Sequence, residues 1–117
     1  MKGKSVLIID DDEISLLMLQ NALELEDYKV IATTNSLKAA ELFEHHHPDA
    51  VVLDIFMPDK DGFELLREIR DLSPETFIVA ISANDQYLRT IKVLGANVAL
   101  SKINMPDAIV DSIRTRK

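Results

Sequence analysis

Five short runs of aliphatic and β-branched residues, each followed by a stretch of helical composition, constrain this chain more than any other feature. The runs are Ser5 to Asp10, Lys29 to Thr33, Ala50 to Asp54, Phe77 to Ile81 and Asn97 to Ser101. Several are apolar throughout, without alternating sides, as strands buried on both faces of a parallel sheet must be. Between them the spacing predicts helices of roughly 10 to 14 residues, the usual length of a crossover helix. Start signals support them: Ser36 before Leu37, Asn84 before the fourth helix, and Asn104 with Pro106 before the last. A (βα)5 alternation implies an α/β fold, a three-layer sandwich with the sheet between two helical layers.

Composition narrows what such a fold does. At 117 residues, 47% of them hydrophobic and 28% charged, the chain is expected to form one domain over 1–117, its core about 4–114, with no output domain. The net charge of −7 argues against direct nucleic-acid binding, which rests on Lys and Arg neutralising phosphates. Zero cysteines exclude disulfides, thiolate metal sites and a cysteine nucleophile, and fit a reducing compartment, with the cytoplasm as the expectation. The apolar run Val6 to Ile9 ends in three aspartates, so it is neither a signal peptide nor a membrane span.

In an open parallel sheet, functional groups gather beyond the carboxyl ends of the strands. There the first strand runs into Asp10-Asp11-Asp12, the third ends at Asp54, the fourth reaches Ser82 and the fifth Lys102. Each residue alone has an ordinary explanation as a helix start, a turn, a cap or a solvated lysine. Together they assemble one chemistry. Clustered carboxylates repel unless a cation neutralises them. Hard oxygen ligands in small number suit Mg²⁺, commonly completed by phosphate oxygens. A carboxylate beside that metal can attack phosphorus, with a lysine and a hydroxyl stabilising the transferred group. Asp54 is the candidate nucleophile, with Lys102 and Ser82 as its helpers.

These residues sit in segments that resemble the receiver domain of two-component response regulators over nearly the whole chain. The segments are Val6-Leu7-Ile8-Ile9-Asp10-Asp11-Asp12, Val51 through Gly62, Ala80-Ile81-Ser82-Ala83, and Gly95-Ala96 with Lys102 seven residues on. The resemblance implies a flavodoxin-like sandwich whose five-stranded parallel sheet has the order 2-1-3-4-5. It implies Asp54 as phosphoacceptor, Asp11 and Asp54 as direct Mg²⁺ ligands, Asp10 acting through water, and the backbone carbonyl of Phe56 as a further ligand. Lys102 would pair with a phosphoryl oxygen, and Ser82 would take the switch position whose hydroxyl turns toward the phosphate. Phe56 and Asn84 would flank the path of attacking water and set the phosphate's lifetime. Asp12 reads as a helix-start residue, and Gly62 as a position where a Cβ would clash. The implied partners are a sensor histidine kinase or histidine phosphotransfer protein and a downstream protein target. The chain is expected to be no turnover enzyme, but to catalyse its own phosphorylation and slow dephosphorylation. A haloacid-dehalogenase-like phosphatase, which Asp10-x-Asp12 also resembles, would need further acidic ligands after the lysine and usually a cap.

The chain departs from the family's pattern where the phosphate is read out. Ile103 follows Lys102 in place of the usual proline, which leaves a cis or a trans bond open; a non-proline cis bond costs about 2.5–4 kcal/mol. The aromatic switch residue, three positions before the lysine, is Ala99 here, so no ring can swing inward. The stretch from Ser82 to Gly95 is shorter than the common pattern, as a trimmed loop or fourth helix would be. The first helix, roughly Glu13 to Glu26, carries more apolar residues than one buried stripe requires. Family alignment buries Met18, Leu19, Ala22 and Leu23, leaving Ile14, Leu16, Leu17 and Leu25 either as a partly exposed apolar patch or as an alternative core face. Ile14 and Leu17 are the candidate docking residues for a phosphodonor or for a second copy in a homodimer. His45-His46-His47 are neighbours that do not face one direction, so they read as solvated residues at a helix C-terminus.

Overall fold

The computed structural model describes residues 4–57 and 61–116. It contains five strands, β1 (Ser5–Ile9), β2 (Lys29–Thr33), β3 (Ala50–Asp54), β4 (Phe77–Ser82) and β5 (Val98–Ser101). Every pairing is parallel, and the order is β2-β1-β3-β4-β5. The helices are α1 (Glu13–Glu24), α2 (Ala39–His46), α3 (Gly62–Leu72), α4 (Leu88–Val93) and α5 (Asp107–Arg114).

The period of two along each strand divides the core between the two faces of the sheet. Leu7, Ile9, Val51 and Leu53 point to one face, where they meet Phe43 of α2, Leu65, Leu66 and Ile69 of α3, and Ile91 of α4. Val6, Ile8, Val52 and Ile81 point to the other, against Leu16, Leu19 and Leu23 of α1 and Ile109, Val110 and Ile113 of α5. Central β1, β3 and β4 are buried on both faces, which is why their sequences are continuously apolar; the edge strands β2 and β5 are only partly buried.

Several helices are shorter than their spacing predicts. Only α1 and α3 reach the expected length, with 12 and 11 residues. Before α2, α4 and α5 the chain makes 3-10 turns at Ser36–Lys38, Asp85–Tyr87 and Lys102–Asn104, so α4 keeps six residues. The caps shift accordingly. Asn35 rather than Ser36 caps the first of these turns, its side chain accepting from the Leu37 N–H at 2.9 Å, and Ser36 is buried. Asn84 caps the turn before α4 as expected, accepting from Gln86 at 3.1 Å. Asn104 is not a cap: it closes a turn that Ser101 starts, and α5 begins after Pro106. Among the described residues the cis peptide bond is Met105–Pro106, so Lys102–Ile103 is trans.

On α1 the inward stripe is Leu16, Leu19 and Leu23, spaced three and four apart, with Ala22 half-buried. This corrects the alignment-based expectation at two positions. Leu16 is buried, and Met18, on the flank of that stripe, is 44% exposed. Ile14, Leu17 and Leu25 are exposed as expected, at 71%, 64% and 75%.

Candidate functional site

Parallel pairing aligns the carboxyl ends of β1, β3 and β4, so that Ile9 pairs with Leu53 and Asp54 with Ile81. Asp10 lies one residue beyond β1 and Asp54 closes β3; both are buried, and Asp11 between them and α1 is exposed. Carboxylate oxygens of Asp10, Asp11 and Asp54 lie within 4.8 Å of one another. Lys102, just past β5, reaches across the sheet. Its Nζ lies 3.2 Å from Asp10 Oδ1 and 3.2 Å from Asp54 Oδ2.

The backbone supplies part of the remaining polar satisfaction. Asp10 Oδ1 accepts from the Asp12 N–H at 3.0 Å, and Asp54 Oδ1 accepts from the Phe56 N–H at 3.3 Å. Asp10 Oδ2 is buried with no hydrogen-bond partner among the described residues. A buried carboxylate oxygen without a partner is costly, and it is the feature that a cation ligand would relieve. Three converging carboxylates and one orphaned oxygen therefore fit a hard divalent cation.

The electrostatics reflect the same excess of negative charge. Burial raises the Asp54 carboxyl, repulsion from Asp10 raises it further, and Lys102 only partly offsets both, leaving it at about 7. Burial alone would lower the Lys102 ammonium, but the attraction of Asp54 and Asp10 outweighs it and holds the group above its ordinary value. Asp12 has a separate task. Its side chain accepts from the Ser15 hydroxyl at 2.7 Å and from the Ile14 N–H at 3.3 Å, capping α1, and chiefly the Ser15 bond holds its carboxyl below the ordinary value.

The other sequence-selected residues fall around this centre. Ser82 is buried, and its hydroxyl donates to the Asn84 carbonyl at 2.9 Å while accepting from the Asn84 N–H at 3.0 Å, so it is held in a local turn. Asn84 is exposed at the start of the next turn, and Phe56 is 44% exposed beside Asp54. Ala99 pairs with Ala80 in the β4–β5 register. Gly62 presses against the chain just after Asp54: a Cβ there would lie 2.2 Å from the Ile55 carbonyl oxygen. His45 and His46 end α2 and His47 follows as its C-cap; all three are exposed and join no metal-binding group among the described residues. A groove of about 570 Å³ opens at the opposite end, beside His47 and Asp49, away from the acidic cluster.

Two residues of the site escaped sequence reasoning. Phe63 and Tyr87 pack edge-to-face with Phe56, at centroid separations of 6.0 and 5.4 Å, and with each other at 6.1 Å. The chain has four Phe and two Tyr, and half of these six rings collect just beyond the ends of β3 and β4, which was the available signal.

The family model for the response regulator receiver domain matches residues 6–114. The chain belongs to the response regulator receiver family. This receiver is 32% identical to the chemotaxis protein CheY of Thermotoga maritima over 114 residues, covering 95% of each chain. Its fold superposes with a TM-score of 0.88 on a CheY-like response regulator receiver domain protein from Methanospirillum hungatei, at 25% identity, covering 97% of this chain and 92% of that one. It superposes with a TM-score of 0.87 on the response regulator TrrA from Thermotoga maritima, solved in complex with Mg²⁺ and BeF, at 26% identity over 95% and 96% of the two chains. The sheet order that resemblance implied is the order observed. No helix among the described residues is long and apolar enough to cross a membrane.

Proposed function

We propose that this receiver takes a phosphoryl group onto Asp54 from a phosphohistidine of a sensor kinase or phosphotransfer protein in the cytoplasm, and thereby changes its contacts with a downstream protein. The observation that carries this reading is the Lys102 ammonium shared between Asp10 and Asp54 beside the orphaned Asp10 Oδ2. It describes a pocket built for more positive charge than one lysine supplies. Asp10, Asp11, Asp54 and the backbone carbonyl of Phe56 would hold Mg²⁺. When bound, Mg²⁺ would supply charge that neutralises the pocket and draws electron density from the phosphoryl oxygens.

The protein's own groups divide the remaining work. Asp54 attacks phosphorus through a carboxylate oxygen; an O–P bond forms as the N–P bond of the donor breaks, and the imidazole nitrogen keeps the electron pair and takes up a proton. Only the ionised carboxylate is nucleophilic, and a carboxyl that burial and the Asp10 charge hold near 7 without metal is one that added positive charge would ionise. Lys102 Nζ, already 3.2 Å from Asp54 Oδ2, moves its charge onto a phosphoryl oxygen as the transfer proceeds. Ser82 must exchange its turn bonds with Asn84 for a bond to the phosphate. Since Ala99 offers no ring to follow that movement, the output passes through other contacts. The exposed Ile14 and Leu17 on α1 adjoin the acidic edge and serve as docking residues for the donor or for a second copy. Slow hydrolysis of the aspartyl phosphate returns the domain to its starting state, and the bulk of Phe56 lengthens its lifetime relative to Phe56→Asn.

Incubation with acetyl phosphate and Mg²⁺ followed by intact-mass measurement tests the reading. A gain of one phosphoryl group that is absent in Asp54→Asn is expected. No gain with acetyl phosphate or a kinase would favour a receiver acting through constitutive contacts.

A further inference from the structure

Of the aromatic cluster beside the pocket, the steps above use only Phe56; Phe63 and Tyr87 have no part in them. Phe56 follows Asp54 by two residues, and its N–H is tied to the Asp54 carboxylate. The residue is 44% exposed, whereas Phe63 and Tyr87 pack against the core. The three rings come from three separate pieces of backbone: the segment after β3, the first turn of α3, and the 3-10 turn before α4. Each support is anchored. The Phe63 N–H donates to the Asp61 side chain at 2.9 Å, and the Tyr87 N–H donates to the Asn84 carbonyl at 3.4 Å, the same carbonyl that receives the Ser82 hydroxyl. The ring planes meet at 86°, 61° and 70°, edges against faces, the arrangement that ring quadrupoles favour.

An exposed phenylalanine at a rim has little reason to keep one rotamer unless neighbours hold it. We propose that Tyr87, with Phe63, is a positioning residue that holds the Phe56 ring as a cover over the aspartyl phosphate and so sets how fast water removes the phosphoryl group. The inference rests on Asp54 being the phosphoacceptor. In the step it governs, a water oxygen forms a bond to phosphorus as the P–O bond to Asp54 breaks. The electron pair of that bond stays on the Asp54 carboxylate, the water's proton passes to solvent, and inorganic phosphate leaves. Freed from Tyr87, the Phe56 ring swings outward and opens the approach to phosphorus. Tyr87 shares the turn that holds Ser82, so rearrangement of Ser82 on phosphorylation reaches the same ring, a route to the rim that needs no aromatic residue at position 99.

The test follows the decay of phosphoprotein by intact mass, after loading with acetyl phosphate and Mg²⁺ and removing the donor. Tyr87→Ala is expected to lose phosphate about fivefold faster, since one edge-to-face pair is worth roughly a two- to tenfold change in rate. Tyr87→Phe keeps the ring and the original lifetime. In a Phe56→Asn background, Tyr87→Ala should add nothing, because the ring it positions is gone. Should Tyr87→Ala fail to fold, Tyr87→Leu keeps apolar bulk without the ring and carries the same expectation. A folded Tyr87→Ala or Tyr87→Leu protein with the original lifetime overturns the inference, as does an equal acceleration with and without Phe56. Absence of any phosphate gain in the unaltered protein overturns the phosphoacceptor reading and this inference with it, whereas normal loading with unaltered decay removes only the role of Tyr87.

Discussion

At the amino end of the sheet the Arg70 guanidinium donates to the carbonyls of Gly95, Ser73, Pro74 and Thr76 and to the Asn97 side chain, at 2.7 to 3.2 Å. At the carboxyl end two buried aspartates share one lysine, and one carboxylate oxygen has no partner among the described residues. The first arrangement joins the C-terminus of α3 to the entries of β4 and β5 with its charge met by several acceptors. The second keeps like charges in contact at a cost to stability. The difference separates where this fold meets its charge with acceptors from where it concentrates uncompensated negative charge, as the proposed cation and phosphoryl site requires.

Mutations at the two ends should therefore have opposite signs. Arg70→Ala removes the shared donor from several carbonyls and is expected to lower the unfolding free energy by about 2–3 kcal/mol in urea melts. Arg70→Lys should recover little, because an ammonium cannot reproduce the planar fork. Destabilisation well under about 1 kcal/mol would show that water replaces the guanidinium readily and would break the comparison.

Asp54→Asn should instead stabilise the metal-free protein at pH 8, by about 1–2 kcal/mol, since it removes one of two repelling buried charges. The sign follows from linkage. The folded state holds a proton on Asp54 up to about 7, the unfolded chain only to the ordinary carboxylate value of 3.8. Between these values the folded state binds more protons, so stability falls as pH rises. The advantage of Asp54→Asn should therefore be complete above about 7 and vanish toward 3.8. Melts across that range in EDTA check it, and an advantage that grew on acidification would contradict the assignment.

Under the proposed function, Mg²⁺ would act on the same deficit. At ten times its dissociation constant it should raise stability by about 1.4 kcal/mol through mass action. The effect should be weaker at pH 5, where Asp54 carries its proton, and weaker still in Asp54→Asn. The smallest expected change is in Leu17→Ser. Leu17 is 64% exposed, so the melting temperature should hold within about a degree while phosphotransfer from a kinase, or dimerisation, weakens. A large loss of stability would assign Leu17 to the core.

Much of this was legible in the sequence, for identifiable reasons. Strands β1, β3 and β4 are buried on both faces and so are apolar throughout, which fixed their positions closely and placed Asp10 and Asp54 at one edge. The choice between Leu16 and Met18 was not legible, because α1 is apolar on more than one side and only the angle at which it meets the sheet selects its inward stripe. The 3-10 turns that shorten α2, α4 and α5 each open on a polar cap, Asn35, Asn84 and Ser101, but a cap marks where a helical segment starts and not whether its first turn is 3-10 or α. Arg70 gave no signal, since its acceptors are mostly backbone carbonyls that the chain brings together only on folding. Phe56 and Phe63 lie seven residues apart and Tyr87 another twenty-four along, so only the parallel alignment of β3 and β4, which brings the segments after them side by side, makes all three neighbours.

The central claim is that Asp54 itself becomes the acyl phosphate. Borohydride reduces an aspartyl phosphate to homoserine, so loading with acetyl phosphate and Mg²⁺, reduction and peptide mapping locate the acceptor directly. The account predicts reduction at position 54 and at neither Asp10 nor Asp11. Reduction at either of those residues, or a phosphoryl group retained elsewhere in Asp54→Asn, would contradict it.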